Sequence, residues 1–247
     1  MGVISLAFVV LSCFGGDAVK LVAVLYNNSA TDKIQSRDYR GAISDLSFAI
    51  KLYPNFERAI CNRGVAYESV GDLPNAFRDF NDAIQLSPND AIAHTHRGTI
   101  LAAQKRYSDA IDDLDKAIQA DPKGETAYLL RATCKSTLDD YRGAINDYDH
   151  AIGLNAKDAF AWKGRGIARA CIDDYAVALS DLNEAIALDP SSAIAYRSRA
   201  NTQFLLGNYR AAIADCTKAL AIDPKDTITM RLITESKFKI GKGSRRS

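Results

Sequence analysis

Two columns of charged side chains run through this chain with a constant step. Asp45, Asp79, Asp113, Asp147, Asp181 and Asp215 lie 34 residues apart, and so do Arg63, Arg97, Arg131, Arg165 and Arg199. A carboxylate and a guanidinium can join through two parallel charge-assisted hydrogen bonds. By helical phase the arginines share a face with Ala59, Ala93, Ala127, Ala161 and Ala195, residues suited to meeting a neighbouring helix. A charge on such a face needs a partner, because a buried charge left alone is costly. The two columns are therefore expected to pair as a structural ladder that fixes register and stiffness. The alternative is that the arginines contact a ligand. The spacing leaves open whether each aspartate pairs within its own segment or with the next.

Other reactive side chains do not form a catalytic or metal constellation. Cys13, Cys61, Cys134, Cys171 and Cys216 lack metal-ligand spacing. Cys134 and Cys216 fall on packing faces, as small core residues. His94 and His96 are two apart on one helix and point to different faces, and His150 stands alone. The carboxylate pairs Asp112-Asp113 and Asp173-Asp174 diverge, being adjacent residues. The chain has no phosphate loop, no H-E-x-x-H and no nucleophile with a placed base. These residues predict a protein that is not an enzyme, with no cofactor and no metal.

The elements that position the ladder follow from the same period. Asp38-Tyr39-Arg40-Gly41-Ala42-Ile43 recurs in related form five more times, as far as Asn208-Tyr209-Arg210-Ala211-Ala212-Ile213, with no insertion. In the stretch Glu57 to Asp90, Ala59, Gly64, Ala66, Tyr67 and Val70 recur at helical steps. Gly71-Asp72 signals a turn. Ala76, Phe77, Phe80, Ala83, Ile84 and Leu86 then mark a second helix, ended by Ser87-Pro88. Each repeat is thus predicted to be an antiparallel helical hairpin. Ala42, Ala76, Ala110, Ala144, Ala178 and Ala212 hold one invariant column, and the alanines seven residues later hold another. Small residues at helix crossings let backbones approach. Larger ones, such as Phe80, Leu114, Tyr148 and Leu182, fill the gaps beside them.

The repeat resembles the tetratricopeptide repeat: 34 residues, two helices, an aromatic then a small residue on the first, Ala-x3-Phe-x2-Ala on the second, and a late proline. The resemblance covers about Leu21 to Ile240. It departs at Ala156, which replaces the proline, and at Lys33, Lys135, Arg169 and Gln203, which replace the tyrosine at Tyr67's place. The resemblance implies an all-α, right-handed superhelical solenoid whose first helices line a concave groove for a protein or peptide. By phase that groove is lined by Arg58, Thr95, Thr99, Leu129, Phe160, Lys163, Ile194, Arg197, Asn201, Phe204 and Arg231, with Cys61 and Val65 on the same stripe. Phe160 and Arg197 are the expected anchors, since exposed aromatic and arginine side chains dominate binding. Phe160 could instead fold into an interface between repeats, being near a helix start. Some family members hold a peptide carboxylate with a Lys-Asn-Asn-Lys-Arg clamp. Here Cys61, Val65, Thr99, Ile92 and His96 stand at those places, so chaperone-tail binding is not expected.

The ends divide the chain into three parts: an apolar segment at 1–20, six repeats at 21–225, and a capping helix with a basic tail at 226–247. Val3 to Phe14 carries no charge, and Gly16-Asp17-Ala18 is a small-x-small pattern. The run reads either as an export signal or as a short capping helix stopped by Gly15-Gly16. It is too short for a conventional membrane span. The chain is accordingly expected in the cytoplasm or, by that signal, exported. Membrane association is expected only if the segment is kept as an anchor, which would make the chain an envelope-associated tethering or structural protein. Lys237, Lys239, Lys242, Arg245 and Arg246 give the last helix a polar outer face, or else an anion contact. The net charge of +1 offers no bulk field for nucleic acid. The leading expectation is a non-catalytic scaffold that binds a protein or peptide in the groove.

Overall fold

A computed structural model describes residues 16–243. The apolar run at 3–14, Cys13, Arg245 and Arg246, with the readings attached to them, lie outside the described residues. Thirteen helices fill the described part: α1 (Gly16–Gln35), α2 (Tyr39–Leu52), α3 (Glu57–Ser69), α4 (Leu73–Leu86), α5 (Ala91–Ala103), α6 (Tyr107–Ala120), α7 (Glu125–Thr137), α8 (Tyr141–Leu154), α9 (Ala159–Cys171), α10 (Tyr175–Leu188), α11 (Ala193–Leu205), α12 (Tyr209–Ile222) and α13 (Thr227–Gly243). They make six hairpins and one last first-type helix without a partner. The first described helix, α1, begins at Gly16.

The chain divides at Pro122 and Lys123 into two compact blocks, a division that an unbroken period does not reveal. Within each block a first helix packs on its own second helix and on the second helix of the repeat before. The invariant alanines of both columns are buried without residual exposure beyond 1%. Each second helix stops where an extended residue follows it, as at Ser87 and Asp189, and that residue's N–H reaches back to the last-turn alanine carbonyl. The next first helix is then capped: the Asp90 carboxylate accepts from the N–H groups of Ile92 and Ala93, and Asp158 accepts from Phe160.

The turn inside each hairpin needs one residue in the left-handed region. Gly71 and Gly207 supply it at φ 81°, while Arg37, Lys105, Asp139 and Asp173 adopt φ of 62–64° with side chains attached. Close approach explains the small first-helix column. A Cβ on Gly64 would lie 2.7 Å from the Phe80 ring, and one on Gly166 would lie 2.8 Å from Leu182. Ala132 and Ala200 hold the same column in the fourth and sixth repeats and are fully buried.

Candidate functional site

The charged columns pair within each repeat. Arg63 donates Nε and Nη2 to the two carboxylate oxygens of Asp79 at 2.7 and 2.9 Å. The same fork joins Arg97 to Asp113, Arg131 to Asp147, Arg165 to Asp181 and Arg199 to Asp215. The five aspartates are buried. The spare Nη1 reaches the preceding second helix: Arg63 to Ser47, Arg97 to Asn81, Arg165 to Asp149 and Arg199 to Asn183. One guanidinium therefore ties three helices. Asp45 has no arginine sixteen residues before it and takes Ser29 and Lys33 instead, at 2.7 and 2.6 Å.

The basic residues that replace tyrosine join this system. Lys135 lies 2.9 Å from Asp147, and Arg169 lies 3.5 Å from Asp181. They are second cations on buried carboxylates. In the sixth repeat Gln203 holds the same place, and its Oε1 is buried without a hydrogen bond.

His94 is also a structural residue. Its Nδ1 lies 3.0 Å from an Asp113 oxygen and its Nε2 lies 3.0 Å from the Pro88 carbonyl. The ring is thus held between a carboxylate and a backbone carbonyl. The Trp162 indole makes the same reach, donating to the Ala156 carbonyl. Asp113 is held below the usual carboxylate range: burial opposes ionisation, but the hydrogen bonds from Arg97 and His94 outweigh it.

The expected groove residues divide into three sets. In the N-terminal block Arg58 is exposed, while the hydroxyls of Thr95 and Thr99 donate to the carbonyls of Ala91 and Thr95 in their own helix. Cys61 and Val65, placed on the groove by phase, instead pack into the core beside Phe80; Cys61 is buried and its thiol is pushed up by that burial. Two of the expected residues in the C-terminal block are only partly exposed. Leu129 is half-buried. Phe204 packs on the core of Ala200, Ala212, Cys216 and Leu232, with its ring edge-on to Tyr209 at 5.3 Å. Phe204 is half-buried there, at the inner end of the stripe that carries Ile194, Arg197 and Asn201.

The remaining residues line one surface, formed by α9, α11 and α13. Phe160 is 45% exposed, which places it on the surface and not in an interface. The Lys163 Nζ sits 4.8 Å above its ring. Ile194 is exposed beside it in the next repeat. A cavity of about 570 Å³ follows, lined by Arg197, Asn201 and Arg231 with Ile167, Leu205, Ile228 and Glu235, and bounded by Cys171, Asp173 and Tyr175. Arg197 donates Nη1 to Asp226 at 2.8 Å. Asp226 also accepts from Thr229 through its hydroxyl and backbone, and these bonds, with the nearby arginine, hold its carboxyl down at about 2. Arg197 is thereby fixed from behind by the cap of α13. Sequence phase placed Arg231 of α13 on this surface but left out Ile228 and Glu235, which line the same cavity from that helix.

Among the described residues no three metal-binding side chains lie together, and no helix is long and apolar enough to cross a membrane. The surface of α9, α11 and α13 presents exposed apolar side chains, the cations Lys163, Arg197 and Arg231, and the Asn201 amide.

Three family models described as tetratricopeptide repeat match the chain, at residues 28–91 and 61–125, 125–158, and 193–226. A sequence comparison with curated proteins finds no match. Among solved structures, YrrB, described as a TPR protein with an unusual peptide-binding site, aligns with TM-score 0.68 at 22% identity, over 75% of this chain and 96% of its own. PilW, described as a widely conserved type IV pilus biogenesis factor, aligns with TM-score 0.72 at 19% identity, over 86% and 98%. The pilF protein of Pseudomonas aeruginosa aligns with TM-score 0.76 at 15% identity, over 90% and 99%. At these identities the likeness is one of fold.

Proposed function

The chain belongs to the tetratricopeptide repeat family, and from that premise we propose that it is a non-catalytic scaffold whose C-terminal block binds a protein or peptide on the face of α9, α11 and α13. The observation that carries this reading is the cavity of about 570 Å³ on the first-helix face, with Arg197, Asn201 and Arg231 on its wall and exposed Phe160 and Ile194 beside it. Concave sites with an apolar lining and a few placed polar groups are where ligands bind. The peptide-binding description of YrrB supports a peptide as the class of ligand.

Affinity capture from the native cell, with wild type and with Phe160→Ala, tests the proposal. Phe160 is exposed, so its truncation should leave the melting curve nearly unchanged, whereas loss of a binding anchor costs about 2 kcal/mol or more of affinity. A partner retained equally by both proteins would place binding elsewhere on the array.

A further inference from the structure

Two rows cross the binding face of the C-terminal block with the period of the repeat. Phe160, Ile194 and Ile228 form an apolar row, exposed by 45, 46 and 55%. Lys163, Arg197 and Arg231 form a cationic row, each three residues further along the same helix. Residues three apart are neighbours on a helix surface. Each of α9, α11 and α13 therefore presents one apolar side chain and one cation together. The N-terminal block has no such pairing: Cys61 and Thr95 stand where its cations would be.

Resting on the groove reading above, we propose that this face takes an extended acidic peptide, with an apolar side chain at every third position and a carboxylate beside each. The spacing argument is geometric. The first helices α9, α11 and α13 touch one another in succession, and packed helices lie about 8–10 Å apart. A polyproline-type strand turns once in three residues and rises about 3.1 Å per residue. Side chains three apart therefore fall on one face about 9 Å from each other, in step with the helices. The charge argument is complementarity. Arg197 is held in place by Asp226. Lys163 stands over the Phe160 ring. Arg231 is 74% exposed, and its neighbour Glu235 is 3.6 Å away in an exposed pair, which a ligand carboxylate displaces at little cost. An extended strand has no internal hydrogen bonds, and the exposed Asn201 amide can both donate to and accept from its backbone. A helical ligand, with its backbone bonds closed internally, would leave that amide unused.

A displayed library of random twelve-residue peptides, panned on the full chain, tests the rule, with Phe160→Ser and Arg231→Glu as comparison proteins. Both substituted side chains are exposed, and unchanged melting curves confirm that the variants fold. The expected selection carries apolar residues at i, i+3 and i+6 with Asp or Glu between them. These peptides should bind Phe160→Ser at least tenfold more weakly. Panning on Arg231→Glu should exchange the acidic residue nearest α13 for Lys or Arg. Selected peptides with another spacing, or with basic residues on wild type, overturn the rule. If those peptides are still lost on Phe160→Ser, the groove reading survives its failure. Selections that do not distinguish wild type from either variant overturn both.

Discussion

Arg97 in the N-terminal block and Arg199 in the C-terminal block make the same three contacts: two to an aspartate sixteen residues on, one to an asparagine sixteen residues back. Two residues earlier the likeness ends. Thr95 turns its hydroxyl to its own helix, while Arg197 stands at the wall of a cavity, braced by Asp226. Two residues separate a position that five repeats fill with arginine from one that each repeat fills differently. The first faces two neighbouring helices, so its chemistry is dictated by the stack. The second faces the open first-helix surface, so stacking leaves it unconstrained and binding can shape it.

If the ladder is the shared part, breaking it should cost the same in either block. Arg63→Leu and Arg199→Leu should each destabilise by about 3–5 kcal/mol, because each leaves a buried carboxylate unpaired. Replacing Arg63 and Asp79 together with apolar residues should recover most of that loss. Chemical denaturation of the single and double variants measures it, and strict additivity would show that the pair is not coupled.

The next effect is peculiar to the C-terminal block. Tyr148 fills a place held elsewhere by leucine, phenylalanine or cysteine, and its longer ring reaches Gly164, where an added Cβ would lie 2.4 Å away. Gly164→Ala should cost about 1–3 kcal/mol by overpacking. In a Tyr148→Leu background the same change should be nearly neutral. Equal costs in both backgrounds would locate the strain elsewhere.

The hairpin turns supply a smaller test. Lys105→Gly and Asp173→Gly replace side chains held at positive φ, a conformation that costs non-glycine residues roughly 1–2 kcal/mol. Part of that gain returns through the freer unfolded chain, so each variant should be about 0.5–1 kcal/mol more stable by thermal melting. The already glycine-bearing turns at Gly71 and Gly207 should lose stability when changed to alanine.

The smallest effect distinguishes two acidic first-turn residues. Burial, and a hydrogen bond with the Asp90 carboxyl, push Glu57 up from 4.5 to about 7. Glu125 is also raised by burial, but the Asn155 amide donates to it and opposes the shift. A carboxyl whose folded value is raised binds its proton more tightly when folded. Its contribution is therefore most favourable below pH 4.5 and is lost as pH rises to about 7. Wild type should lose stability over that window relative to Glu57→Gln, and the corresponding difference for Glu125→Gln should be smaller. Parallel stability curves for wild type and Glu57→Gln would remove the pair from the account.

Much of this was written in the sequence, and the residues show why. The alanine columns, the Gly64-to-Phe80 match and the Arg–Asp ladder repeat at a fixed step, so six copies of one pattern disclose which positions face a neighbour. Helical phase also placed Phe160, Lys163, Arg197 and Arg231 on the first helices' open side. On the same stripe Cys61 is buried beside Phe80 and Phe204 is half-buried beside Cys216, a depth that helical phase alone does not give.

The period, the hairpins and the charges that must find partners are legible in the order of residues, because a repeated contact leaves a repeated residue. Folding chose the partner of each aspartate, because a common period of 34 fits pairing within a repeat as well as pairing with the next. Folding also set Tyr148 against Gly164 and Asp226 behind Arg197 at the cavity that α13 helps to line, and a contact that occurs once leaves no period to read.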